Sequence, residues 1–249
     1  MSIKDEAIAW VKDYFAKNGN ENTKAVIGIS GGKDSSTVAA LCCAALGKDR
    51  VIGVMMPNGV QSDIEDSKKL CSFLGIKNYT VNIAQAYKGI SDAVTQSLGL
   101  ASDSLPSQFT TNTPARLRMT TLYSVAALEG NCRVSNNGNL SERLAGYFTL
   151  WGDGAGDFAP LANLYVSQVV QLGKDLGLPD ELVEKAPSDG MSGMTDEAKL
   201  GFTYDQLEKV SRGQADLVPS DVAEKIQAQI DGMAFKKQLL NLPCFVPSK

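Results

Sequence analysis

The run Ala25-Val-Ile-Gly-Ile-Ser-Gly-Gly-Lys-Asp-Ser-Ser36 constrains this chain more than any other stretch. Ala25 to Ile29 is a short apolar run and reads as a buried strand. It breaks at Ser30-Gly31-Gly32, and an apolar helical pattern starts near Ser35. Glycine at such a turn lets backbone N–H groups aim at an anion with no Cβ in the way. A helix N-terminus beside them completes a phosphate cradle. Two common phosphate loops are excluded by residue order. The pattern G-x-x-x-x-G-K-[ST] needs four residues between its glycines and a hydroxyl after the lysine. Here three residues separate Gly28 from Gly32, and Asp34 follows Lys33. The dinucleotide pattern G-x-G-x-x-G is absent. The next strand ends Met55-Met56-Pro57-Asn58-Gly59, with no acid for a ribose.

Strand and helix patterns then alternate. The spacing predicts a helix over Ser35 to Leu46 stopped by Gly47, a strand Val51 to Met55, and a helix Asp63 to Leu74 closed by Gly75. A strand Tyr79 to Ile83 and a helix to about Ser97 follow. Residues 99–113 are rich in Ser, Thr and Asn and read as a mobile loop. Pro114 is expected to open a helix at its first turn, running through Leu128, and Arg133 to Asn136 to form a fourth strand. Beyond residue 150 the pattern is helical with long loops. Such alternation implies an α/β fold, with a mostly parallel, doubly wound sheet covered on both faces. Ligands bind such sheets beyond the carboxyl ends of the strands, where Ser30-Gly31-Gly32 and Asn136-Asn137 both lie. We expect a single domain over 1–249, with residues 25–150 as nucleotide-binding core and 151–249 as its mainly helical and loop part.

Composition narrows the chemistry. A net charge of −4 argues against a general nucleic-acid binder, so an anionic substrate must meet local cations. Met1 to Lys17 has Ile3, Ala7, Ile8, Val11, Tyr14 and Phe15 on one helical face, as a core-facing helix rather than a signal peptide. The longest apolar run, Val38 to Leu46, is too short to span a bilayer. The five cysteines include no C-x-x-C pair, which suits reduced thiols in a cytoplasmic protein. The chain has no histidine. That excludes Ser-His-Asp and Cys-His catalysis, a Cys-His glutaminase included. It also leaves carboxylates to hold any metal, which suits Mg²⁺.

Ser30-Gly-Gly-Lys-Asp-Ser35 resembles the pyrophosphate loop of the N-type ATP pyrophosphatases, which cleave ATP between its α and β phosphates. Later segments join it in order. They are Ala115-Arg-Leu-Arg-Met119, Ser135-Asn-Asn-Gly-Asn-Leu-Ser-Glu142, Gly146-Tyr-Phe-Thr149, Gly152-Asp-Gly-Ala-Gly-Asp157, Pro187-Ser188, Thr195-Asp-Glu197, Leu200-Gly201 and Tyr204. Together they resemble the ammonia-dependent NAD⁺ synthetase family, over most of the chain. The resemblance implies a three-layer α/β/α fold of the adenine nucleotide alpha hydrolase kind. It implies that the carboxylate of deamido-NAD⁺ attacks the α-phosphorus of ATP, releasing pyrophosphate. Ammonia then displaces AMP to leave the amide. Fixed N–H dipoles and Mg²⁺ would stabilise charge gathering on the phosphates.

On this resemblance Gly28, Ile29, Ser30, Gly31, Gly32, Lys33, Asp34 and Ser35 hold ATP, with Asn137 and Ser188 as further contacts. Asp34 and Glu142 bind Mg²⁺, and Lys33 adds charge near the departing pyrophosphate. Arg116, Asp157 and Lys236 contact deamido-NAD⁺. Each has a plainer alternative from the residues alone. Asp34 could cap a helix, Glu142 could be a surface acid, Asp157 a turn residue, and Arg116 and Lys236 solvated cations; Arg118, two residues on, faces elsewhere on the helix and is read as solvated. Two lysines common in the family stand here as Leu150 and Val166, and a histidine as Phe235. Arg143, Lys174, Lys185 and Lys33 are the cations that could compensate. The family also implies a homodimer, for which the apolar helix Pro114–Leu128 is the candidate element. Another acceptor for the same loop, or a nucleotide sensor without catalysis, are the alternative readings.

Overall fold

The computed structural model describes residues 2–61, 64–101, 105–184, 195–238 and 244–247. Four strands, β1 (Lys24–Gly28), β2 (Val51–Met55), β3 (Lys77–Thr80) and β4 (Cys132–Val134), form one parallel sheet in the order β3-β2-β1-β4. Helices α1 (Ile3–Lys17), α2 (Lys33–Leu46), α3 (Ile64–Leu74), α4 (Ala84–Leu98) and α5 (Ser107–Glu129) belong to this half. The second half adds α6 (Leu140–Ala145), α7 (Val166–Asp175), α8 (Asp180–Val183), α9 (Asp196–Leu200), α10 (Tyr204–Ser211), α11 (Ser220–Gly232) and α12 (Ala234–Gln238).

The period of two along β1 and β2 sorts their side chains into two cores. Ala25, Ile27, Val51 and Met55 pack with α1, α2, α3, α7 and α8 on one face. Val26, Ile52, Val54 and Met56 pack with Leu117, Leu122, Tyr123 and Val125 of α5 on the other. Ile27 and Ile52 are almost fully buried, each contributing about 2 kcal/mol of transfer free energy. The result is the three-layer α/β/α arrangement expected from the alternation. A smaller third cluster joins Ala145 to Leu207, Val210 and Ile226 of α10 and α11.

The expected loop and helix start around Pro114 need correction. Pro114 does not open a helix. Helix α5 starts at Ser107, after Pro106, and carries Pro114 inside it, so much of the expected 99–113 loop is helical. Weak helix formers are held there by tertiary contacts. The Phe109 ring lies 6.2 Å from that of Tyr87, and Asn112 accepts a 2.8 Å bond from the Thr149 hydroxyl. Leu117, Leu122, Tyr123 and Val125 of α5, the candidate element for a two-fold interface, pack partly buried on their own sheet, and Leu128 is 90% exposed. The outward apolar row is on α4, where Ser91 and Thr95 face inward and Ile90, Val94 and Leu98 face out. Among the described residues no helix is long and apolar enough to cross a membrane.

Candidate active site

The chain leaves β1 for β2 on one side, while β4 pairs on the other. Such a reversal opens a crevice at the carboxyl ends of the two strands. Ser30-Gly31-Gly32 enters it from β1 and Asn136-Asn137-Gly138 from β4.

Gly31 makes the first turn with φ +77°, and a Cβ there would meet the Ser67 backbone nitrogen at 3.1 Å. Both the conformation and the space therefore require glycine. The Ser35 hydroxyl accepts from the Ser30 N–H (3.2 Å) and shares a 3.1 Å bond with the Ser30 hydroxyl. Gly32 is the N-cap of α2 and offers no side chain to the helix's orphan amides. Those amides stay available to an anion. Asp34 does not cap the helix; its carboxylate turns into the crevice.

There Asp34 accepts from the Lys33 ammonium (2.8 Å) and from the side-chain amide of Asn139 (2.9 Å). Asn139 also caps α6. It accepts from the Glu142 N–H (3.0 Å), and Glu142 Oε2 accepts from its N–H (3.1 Å). One asparagine thus locks two acids that are far apart in sequence into a shared site. Burial, and then the Asp34 charge, push the Glu142 pKa well above the ordinary carboxylate value. Burial works against the Lys33 ammonium, but Asp34 and Glu142 outweigh it and raise its pKa. Buried Asp196 and Tyr204 lie behind, with the Tyr204 hydroxyl 3.4 Å from Asp196 Oδ2.

Oxygen donors carrying excess negative charge fit a hard divalent cation. Among the described residues no group of three or more acids, cysteines or histidines is placed to hold a metal ion by itself. A cation held by Asp34 and Glu142 would therefore take its other ligands from phosphate and water.

Residues 149–157 wrap the opposite wall. Gly156 passes so close that a Cβ would lie 2.6 Å from the Asn136 nitrogen. The Asn136 side-chain amide donates to the carbonyls of Asp153 (2.8 Å) and Ala155 (3.2 Å). Asp153 accepts from the Thr149 N–H at 2.9 Å and remains open to solvent. Surrounding protein raises its pKa, opposed first by the bond from the Thr149 N–H and last by the Lys236 charge. Asp153 has no role in the sequence reading, although its place between two glycines signals a forced turn.

The remaining candidates are placed as follows. Asn137 donates to the Gly28 carbonyl (2.9 Å) and accepts from the Ser135 hydroxyl (2.7 Å). Asp157 accepts from the Tyr123 hydroxyl (3.0 Å) and the Val134 N–H (2.7 Å), pinning α5 to β4. Lys236 donates to the carbonyls of Gly146 (2.7 Å) and Phe148 (2.9 Å). Arg116 is exposed, its Nε 3.3 Å from the Leu150 carbonyl. Arg118, expected to be solvated, is instead half-buried at the end of β2, donating from Nε to the Met56 carbonyl at 3.1 Å. Ser188 and Lys185 lie outside the described residues. Of the other compensating cations, Arg143 donates to Cys244 Sγ and Lys174 pairs with Glu184.

A family model described as NAD synthase matches residues 3–239. A relative from Pyrococcus furiosus, an NH(3)-dependent NAD(+) synthetase, is 40% identical over 248 residues, 94% of this chain and 93% of its own. The solved NMN synthetase from Francisella tularensis is similar with a TM-score of 0.84 at 34% identity, covering 98% of this chain and 99% of that one. An NH3-dependent NAD synthetase from Campylobacter jejuni reaches 0.74 at 26% identity, covering 100% and 99%.

Proposed function

The chain belongs to the NAD synthase family, and from that premise we propose that it is an ATP-dependent ligase that amidates deamido-NAD⁺ with free ammonia. The reaction passes through an adenylated carboxylate and releases pyrophosphate and then AMP. The observation that carries this reading is the Asp34–Asn139–Glu142 linkage beside the Ser30–Ser35 loop. It sets two acids against a cradle of free amides, as phosphate chemistry requires.

In this reading the loop and the first turn of α2 hold the ATP pyrophosphate, and Lys33 balances its charge as it leaves. Asp34 and Glu142 would hold Mg²⁺, which when bound neutralises phosphate oxygens. Asn137 and Ser188 contact ATP. Arg116, Asp157 and Lys236 serve the acceptor, the last two by shaping the walls that they pin. The protein works in the cytoplasm as a homodimer.

A shorter acceptor is the second reading. Leu150 and Val166 stand where lysines are common in the family, and a mononucleotide carries fewer phosphates to neutralise. The likeness to the Francisella NMN synthetase favours it. The test supplies ATP, Mg²⁺ and ammonium with either deamido-NAD⁺ or nicotinic acid mononucleotide, and measures AMP and the amide product by mass. The larger kcat/KM names the acceptor. AMP from neither would leave the nucleotide sensor.

A further inference from the structure

Helix α5 returns the chain from β3 to β4, so it runs against the strands and its first turns overhang their carboxyl ends. Leu122 packs over Gly28 and Met56 on that face. Arg118 lies one turn nearer the helix N-terminus, on the same side, and so reaches past the sheet edge. Its Nε donates to the Met56 carbonyl at 3.1 Å. This fixes the plane of the guanidinium. Among the described residues nothing bonds its two terminal nitrogens. Asp153 attracts it across the crevice without forming an ion pair, and Asp153 also faces Glu142 and Lys236.

A half-buried guanidinium given one carbonyl for five donors is poorly compensated. Burial indeed lowers its pKa, against the opposing pull of Asp153. The crevice is otherwise acidic: Asp153 acts on Arg118, and Glu142 with Asp34 lies beyond Asp153. Lys33 is engaged by Asp34 and Lys236 by two carbonyls. Anionic substrates entering there need a cation with donors to spare.

We propose that Arg118 is an oxyanion-binding residue of the reaction crevice, its terminal nitrogens taking a phosphoryl or carboxylate oxygen of ATP or of the acceptor. The fork suits two-point contact with either group. The proposal deepens the amidation reading and rests on it. The Met56 contact, in this account, aims the fork rather than merely stapling α5 to β2.

The experiment compares wild type, Arg118→Lys, Arg118→Gln and Arg118→Ala. Calorimetry measures ATP and acceptor binding separately, without turnover, and AMP release measures kcat and KM. Thermal melting reports the fold. Arg118→Gln is expected to lose about 10- to 100-fold in kcat/KM with a native-like melting temperature. Arg118→Lys should recover only part, and added guanidinium should restore activity to Arg118→Ala. Weakened ATP binding assigns the contact to a phosphate of ATP; weakened acceptor binding assigns it to the acceptor. Variants that bind both ligands and turn over within about threefold of wild type would overturn the proposal. So would losses that track melting temperature and resist guanidinium. A wild type that binds both ligands but releases no AMP sinks the amidation reading instead, while the binding arm still judges Arg118.

Discussion

The Lys33 ammonium lies 2.8 Å from the carboxylate of Asp34, its neighbour in the chain, and is only 4% exposed. Adjacent residues on a helix point about 100° apart, so this contact is imposed rather than automatic. Lys33 is drawn back over the loop by the acids, and Asp34 is drawn forward by Asn139. The pair therefore holds positive charge beside the cradle until a cation competes for Asp34 or a phosphate for Lys33.

Asp34→Asn and Glu142→Gln should both lower AMP formation by about a thousandfold, the scale of removing a transition-state charge stabiliser. Their effects on stability should be opposite when measured in chelator. Asp34→Asn strips the partner from a buried ammonium and should cost about 3 kcal/mol. Glu142→Gln relieves like-charge crowding and should raise the melting temperature. Near wild-type AMP release from either variant would remove that residue from the metal site.

The sheet and the phosphate loop were legible because Ala25–Ile29 and Val51–Met55 are apolar runs broken by glycine and proline. Their burial leaves little choice of structure. The start of α5 was not legible. Ser107-Gln-Phe-Thr-Thr-Asn-Thr113 has weak helix propensity, and distant partners, Tyr87 and Thr149, decide it. The facing of Arg116 and Arg118 was hidden for a related reason. Two cations two positions apart must diverge, but with so little contrast between the sides of α5, periodicity could not say which one turns inward. Nor could spacing reveal that Asp157 joins Tyr123 to Val134.

Glu129 ties β3 and β1 at the opposite, amino end of the sheet. It accepts from Lys77 (2.6 Å), Lys24 (3.1 Å) and the Tyr79 hydroxyl. Lys77, followed by Tyr79 and Lys24, holds its pKa down to about 2. A depressed carboxylate pKa stabilises the fold at pH above the unfolded value, and the effect fades as pH falls through the folded one. Glu129→Gln should thus cost about 1 kcal/mol at neutral pH, discounted for solvent screening. Denaturant titrations of the two proteins should converge between pH 4.5 and about 2. A gap that persists at the acid end would show that the bonds matter without the charge.

Sedimentation at micromolar concentration should give a dimer, with the outward row Ile90, Val94 and Leu98 of α4 covered by a second copy. Ile90→Glu with Val94→Glu should then yield folded monomer, since two charges would be buried in an apolar contact. A wild-type monomer with full activity would refute the dimer. A variant that stays dimeric would place the contact elsewhere.

The last prediction concerns the nitrogen donor. With no histidine in the chain, a Cys-His glutaminase cannot be assembled from its own side chains. Cys42 is buried and Cys43 half-buried, and burial first of all raises both thiol pKa values, Cys43 to about 12, so neither is a ready nucleophile. The purified chain should accordingly consume ammonium and ignore glutamine. Ammonia attacks only as the free base. At limiting total ammonium the rate should therefore climb with pH through the neutral range in proportion to the unprotonated fraction, until groups on the protein lose their working protonation state. Saturating ammonium should flatten that climb, which separates a substrate effect from an enzyme one. Glutamine freed of ammonium should give no product above background. Amide formation with matching glutamate release would require an unrecognised glutaminase centre and overturn the assignment of free ammonia as the nucleophile.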